Sequence, residues 1–180
     1  MNTPSYKVMR LTQDYTLKPF NCGDQDLNEF LLYNAKPYLK ELLAVTYILE
    51  STEGDQIIAF FCLLNDKIAI SDFPSRRRYW TFVQKLKSKG KGFNSYPSMK
   101  IERLGINSNY QKQGFGQIII DILKKSFIHD NRTGCKYITV DAYRSATPFY
   151  ERNGFKYLSE ADKDSETRLM YFDLIQLVEE

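Results

Sequence analysis

The clearest hydrophobic pattern in the chain begins at residue 115. Phe115, Ile118, Ile119, Ile122, Leu123 and Phe127 recur at the i, i+3, i+4, i+7 spacing of one helical face. Isoleucine by itself favours strands, but a periodic stretch of this length decides for a helix. Immediately before it, Met99-Lys100-Ile101-Glu102-Arg103-Leu104-Gly105-Ile106 alternates well enough for a strand. Strand, short polar turn and amphipathic helix therefore form the centre of the chain.

Upstream, residues 6–11 read as a first strand. Leu27, Phe30, Leu31, Ala35, Tyr38, Leu39 and Leu42 follow helical spacing, with Asp26 and Glu29 placed as a capping box and Pro37 dividing the stretch into two short helices. Residues 45–49 and 57–64 predict an antiparallel hairpin, with 65–70 continuing it less clearly. Residues 75–87 predict a helix, 88–92 a flexible loop and 131–134 a turn. Residues 137–142 read as a buried strand, and Thr147-Pro148 as an N-cap followed by proline at the first helical position, with Gly154 at the C-terminus. Strands at 156–158 and 169–172 close the chain across an acidic loop at 160–166. No repeat and no second domain is evident, so residues 1–180 are expected to form one domain with a basic insert at about 73–97.

Composition narrows the classes. A chain of 180 residues, 43% hydrophobic and 14% aromatic, can bury one sizeable core. No run nears the ~18 apolar residues that span a bilayer, and residues 1–15 carry no apolar signal segment, which predicts a cytoplasmic protein away from membranes. Cys22, Cys62 and Cys135 fit neither a disulfide framework nor a zinc site, and no metal is expected. His129 is the only histidine and sits where the central helix ends, which argues against a histidine-based triad. Charge is segregated. Residues 73–101 hold no acid and eight cations, Arg76, Arg77, Arg78, Lys85, Lys87, Lys89, Lys91 and Lys100, so the net +3 leaves −5 on the remainder. Such a segment attracts polyanions or is simply a solvated surface.

The turn itself, Gln111-Lys112-Gln113-Gly114-Phe115-Gly116, carries the candidate chemistry. Two glycines two apart let successive N–H groups converge on one anion without a Cβ in the way. The helix N-terminus adds unpaired donors and the positive end of its dipole. Gln111, Lys112 and Gln113 offer side-chain donors, and Gly105 within the strand marks a close approach to the backbone. Two glycines and a glutamine also occur in ordinary flexible turns, so the preceding strand and following helix matter to the reading.

In that context Gln-x-x-Gly-x-Gly resembles the GNAT family of N-acetyltransferases. The resemblance implies a mixed, largely antiparallel central sheet flanked by helices, an α/β (α+β) fold. It implies acetyl-CoA as cosubstrate, its pyrophosphate on the Gln111–Gly116 turn and its pantetheine arm along Leu104, Gly105 and Ile106. A second motif, Val140-Asp141-Ala142 followed by Phe149-Tyr150-Glu151-Arg152-Asn153-Gly154-Phe155, is similar to the family's later strand and helix. There Tyr150 matches the tyrosine that serves as general acid beside the CoA sulfur; the bland alternative is a packed aromatic. Tyr143 departs from the asparagine often found at its position. Glu102 matches a position where some members use a glutamate as base, though such a residue is also often merely solvated.

The likeness is closest to a subgroup containing toxins of toxin–antitoxin pairs that acetylate the α-amine of aminoacyl-tRNA. It rests on Phe20-Asn21-Cys22-Gly23, Leu27-Asn28-Glu29-Phe30-Leu31, the insert before Tyr96-Pro97, and residues 102–106. That subgroup implies tRNA on the cations from Arg76 to Lys91 and an antitoxin as partners, and a homodimer is a further candidate partner. Arg103 is open between an RNA contact and a neighbouring carboxylate. Two other readings remain beside it: acetylation of a small metabolite or protein amine, and a non-catalytic CoA- or RNA-binding module.

Overall fold

The computed structural model describes residues 5–84, 92–129 and 133–178. Lys85, Lys87, Lys89 and Lys91 therefore lie outside the described residues, as do the end of the 75–87 helix, most of the 88–92 loop and part of the 131–134 turn. The strands are β1 (Tyr6–Arg10), β2 (Val45–Ser51), β3 (Ile57–Ala69), β4 (Ser95–Ile106), β5 (Tyr137–Tyr143), β6 (Lys156–Tyr157) and β7 (Thr167–Asp173). They form one seven-stranded sheet in the order β1-β2-β3-β4-β5-β7-β6, in a mixed, mostly antiparallel α/β fold. The helices are α1 (Gln25–Glu29), α2 (Ala35–Lys40), α3 (Arg76–Val83), α4 (Phe115–His129) and α5 (Thr147–Arg152). The chain falls into two compact units, Met1–Leu64 with Ile101–Leu123, and Asn65–Lys100 with Lys124–Glu180.

In the first unit β2 pairs antiparallel with both β1 and β3, and the register with β3 shifts between Leu49 and Glu50. Its core gathers Leu11, Phe20, Phe30, Leu31, Ile48, Phe60 and Cys62. The helical stretch is divided as expected, but by a different device. A π-helical turn at Phe30–Asn34 separates α1 from α2, and Pro37 sits inside the first turn of α2. Proline has no N–H to give and clashes with the carbonyl four residues back, so widening the coil ahead of it relieves both faults. The cap also differs from expectation: Asp24, not Asp26, accepts from Leu27 N at 3.0 Å.

Glu50 is 5% exposed and receives Tyr15 Oη and Lys18 Nζ, both at 2.6 Å, with Lys7 Nζ at 3.0 Å. These donors stitch β1 and the following connection to the hairpin. Burial by itself raises the carboxyl's pKa, but hydrogen bonds from Lys18, Tyr15 and Lys7 outweigh it and lower the value from 4.5 to about 2.

In the second unit β7 pairs antiparallel with β5 and with the short β6. Adjacent residues of β7 face opposite sides. Tyr171 meets Phe82 of α3 edge-on at 5.2 Å, while Phe172 meets Phe155 at 5.7 Å. The α3 side holds Ile68, Phe73, Tyr79, Tyr96, Tyr137 and Leu158. Thr147 is not the cap of α5 but its first residue. Its hydroxyl donates back to Arg144 O at 3.0 Å, Ala146 takes the cap position, and Pro148 stands second. Gly154 ends the helix in the left-handed region, φ +79°, as its position after the helix predicts.

A depressed folded pKa stabilises above the ordinary carboxylate value and stops doing so as pH falls through the folded one. Urea unfolding should therefore show stability lost as pH falls from 4.5 towards about 2. Glu50→Gln should remove most of that dependence and cost about 1–3 kcal/mol at neutral pH.

Candidate active site

In the first unit β4 leads into Asn107, whose buried side chain fixes where the strand ends. Its Nδ2 donates to Ile57 O at 3.0 Å, its backbone N–H to Ile58 O at 2.9 Å, and its Oδ1 accepts from Asn109 N at 3.2 Å. A 3-10 turn, Ser108–Tyr110, follows and delivers the chain to Gln111. The Gln111 amide donates to Cys22 O at 2.7 Å and to Ile106 O at 3.1 Å. Gln113 Nε2 donates to Asn109 O at 2.8 Å. The two glutamines expected to offer donors outward thus direct them to backbone carbonyls and hold the turn in shape.

The backbone supplies the concavity, though not through the expected pair. Lys112 (φ +60°) and Gly114 (φ +88°) take the left-handed conformation, whereas Gly116 is helical as the second residue of α4. Alternating backbone hand around Gln113 turns successive N–H groups toward one side. A Cβ placed on Gly114 would meet nothing within 4 Å, so the turn is open there. The first α4 bond runs from Ile118 N to Gly114 O at 3.1 Å, and the N–H groups of Phe115, Gly116 and Gln117 come before it. Phe115 contributes backbone only, because its ring is 1% exposed and packs edge-on against Tyr6 and Tyr110.

Gly105 does mark a close approach, but the neighbour is a side chain. A Cβ there would lie 2.6 Å from Phe60 Cε1 and 3.3 Å from Phe20 Cζ. On the same strand Glu102 and Arg103 come together, with Nη1 2.7 Å from Oε1 and the guanidinium 5.4 Å from the Phe30 ring centre. Arg103 therefore has the neighbouring carboxylate as a partner.

Of the two carbonyls that pin Gln111, that of Cys22 comes from 89 positions earlier, and sequence alone assigns it no role in the turn. The Asn21-Cys22-Gly23 loop is itself tied down. Cys22 N donates to Asn28 Oδ1 at 2.9 Å, Asn28 Nδ2 to Asn21 Oδ1 at 3.0 Å, and Ser108 N to Asn21 O at 2.8 Å.

In the second unit Tyr150 on α5 is 6% exposed, between Phe149 at 5.0 Å and Phe155 at 5.3 Å. Burial alone pushes its hydroxyl well above the usual tyrosine value, so it is a neutral donor at any physiological pH. Tyr143, at the end of β5, is 49% exposed. Arg76, Arg77 and Arg78 form the exposed first turn of α3, where Ser75 Oγ caps Arg78 N at 3.3 Å. Lys100 is ion-paired with Asp141 at 2.6 Å. His129 lies exposed in the last turn of α4, Cys22 and Cys62 are buried free thiols, and Cys135 is half-buried. No group of three metal-ligating side chains occurs among the described residues, and none of their helices is long and apolar enough to cross a membrane.

The strand, left-handed turn and helix N-terminus in this order form an anion-binding arrangement, and the Acetyltransferase (GNAT) domain family matches residues 53–170. The chain belongs to the GNAT acetyltransferases. Its fold is shared with solved structures of low identity. A bacterial toxin is 19% identical with a TM-score of 0.79, the match covering 98% of this chain and 95% of the toxin. AtaT complexed with acetyl-methionyl-tRNAfMet is 22% identical, TM-score 0.72, covering 98% and 100%. AtaTR bound with AcCoA is 23% identical, TM-score 0.73, covering 97% and 98%.

Because the Gly105 position abuts a fully buried ring, Gly105→Ala should destabilise by about 1–3 kcal/mol through overpacking, read as a lower urea midpoint with unchanged slope.

Proposed function

We propose that the chain transfers the acetyl group of acetyl-CoA to a primary amine, with the α-amine of aminoacyl-tRNA as acceptor. The observation that carries the cosubstrate is the open, left-handed turn at Lys112 and Gly114 leading into the N-terminus of α4. Its backbone donors suit a diphosphate, and Lys112, exposed on the same turn, adds charge. Acetyl-CoA supplies an activated thioester. Backbone groups of Leu104, Gly105 and Ile106 pair with the pantetheine arm, and an N–H there polarises the thioester carbonyl. Glu102 takes the proton of the attacking amine.

Tyr150 hydrogen-bonds the departing sulfur. Its raised pKa makes full proton transfer to a thiolate of ordinary pKa about 8.5 unfavourable, but the apolar surroundings that raise the phenol raise an adjacent thiol in the same sense. An α-amine near pKa 8 needs less help from a base than lysine near 10.4, which favours the aminoacyl end over a lysine side chain.

Support for an RNA-borne acceptor comes from α3. Three cations in a helix's first turn oppose its dipole, so helix stability does not account for them. Facing solvent, they suit a phosphate backbone. The likeness to AtaT in complex with a tRNA, and to AtaT bound to the C-terminus of the antitoxin AtaR, supports tRNA and an antitoxin as partners here.

Gly116→Val should abolish acetyl-CoA binding in calorimetry, and Tyr150→Phe should retain binding while lowering turnover by roughly 10²-fold. Undiminished affinity in the first, or full activity in the second, removes the role assigned. Mass analysis of aminoacyl-tRNA incubated with protein and acetyl-CoA should show an added acetyl group. Replacing Arg76, Arg77 and Arg78 together with glutamine should flatten the salt dependence of tRNA binding, by up to about one log–log unit for each phosphate no longer neutralised. Acetylation of small amines with untouched tRNA would instead favour the metabolite reading.

A further inference from the structure

The second unit carries a cavity of about 320 Å³ on the α3 side of β7, the side to which Tyr171 points. Tyr150 belongs to the other side: it meets Phe155 edge-on, and Phe155 meets Phe172. The cavity is thus no part of the surroundings of Tyr150. Phe73, Phe82 and Tyr171 give it its aromatic lining, while Arg78, Thr81 and Glu160 stand among its other lining residues. Glu160 stays largely in solvent, its side chain 79% exposed and 3.8 Å from Arg168.

Two features select the occupant. The size is at the lower end of small-molecule sites, enough for one flat ring and its substituents. The lining combines the rings of Phe73, Phe82 and Tyr171 with the polar side chains of Arg78, Thr81 and Glu160, which suits a heterocycle that packs on an aromatic face and presents ring amines at its edge. Glu160 can accept from such an amine. Arg78 belongs both to this lining and to the exposed run of Arg76 and Arg77 on the first turn of α3, so the group attached to the ring should be anionic.

We infer that this cavity takes one unstacked nucleobase of a bound RNA, its flanking phosphates lying on Arg76, Arg77 and Arg78. The inference rests on the RNA-borne acceptor and adds how that RNA is held. The arginines supply affinity that any sequence shares, and the cavity demands a single-stranded nucleotide, because a base in a duplex cannot leave its stack without cost. Double-stranded RNA of equal length should bind less well than single-stranded.

The test uses the wild-type protein and a short single-stranded RNA, compared with versions in which each base in turn is replaced by an abasic site. At one or two positions the abasic RNA should bind roughly tenfold more weakly, with an unchanged salt slope because every phosphate is retained. Thr81→Trp, on the solvent-facing side of α3 at the cavity, should produce the same loss with the intact RNA and none with the abasic one; thermal unfolding reports whether this variant is folded. The arginine-to-glutamine triple variant should do the opposite and lower the salt slope. Equal binding of all abasic versions overturns the inference, as does failure of the wild type to bind RNA. If abasic positions matter but no acetyl group reaches aminoacyl-tRNA, the cavity stands and the assigned acceptor falls.

Discussion

The buried ring of Phe60 is the contact on which the first unit depends. Phe20 meets it edge-on at 5.3 Å and Phe30 lies roughly parallel at 6.1 Å. Gly105 is a glycine because that ring occupies the space of its side chain. Phe20 in turn anchors the loop whose Cys22 carbonyl receives Gln111. A continuous path thus runs from the middle of the core to the turn before α4, each link a ring face or a directed hydrogen bond. The turn needs this support because Lys112 stands in a left-handed conformation that a side chain ordinarily avoids. Hydrogen bonds from Gln111 and Gln113 to main-chain carbonyls hold the backbone there without occupying the N–H groups of the helix start.

The second unit is organised by tyrosines. Tyr137 is fully buried and meets Phe82, Tyr96 and Tyr171 at 5.7, 6.3 and 5.6 Å. Tyr79, equally buried, donates its hydroxyl to Phe93 O. Together they fasten α3 to the sheet through its apolar side, which leaves the three arginines facing outward. Aromatic burial here is strong enough to tolerate a first helical turn whose charge opposes the helix dipole.

How far the sequence foretells this varies with the range of the interaction. Helix α4 is legible because its apolar face repeats over four turns, and the β2–β3 hairpin because both strands and the turn signal lie within a few residues. The α1 cap is displaced to Asp24 because several polar residues in a row satisfy the same rule and only the path of the chain chooses among them, whereas α5 starts at Ala146 with no side-chain cap, the Thr147 hydroxyl donating back to Arg144 O. Gly105 is legible as a point of close approach, but the approaching group, Phe60, is 45 residues away and unreadable locally. Local preference points to Gly116 for the second left-handed position, because glycine adopts it without strain; the position falls on Lys112, where tertiary hydrogen bonds override that preference. The pinning of Gln111 by Cys22 leaves no periodic or spacing signal at all.

The alternation along β7 has a consequence for how such a protein can change. Tyr171 and Phe172 are consecutive, yet one belongs to the aromatic layer beneath α3 and the other to the layer around Phe155 and Lys124. A lineage could remodel every other residue of this strand, or the whole outer surface of α3, and alter what docks on one side while leaving the opposite layer in place. One strand thereby works as a partition between two aromatic layers that can change under separate constraints.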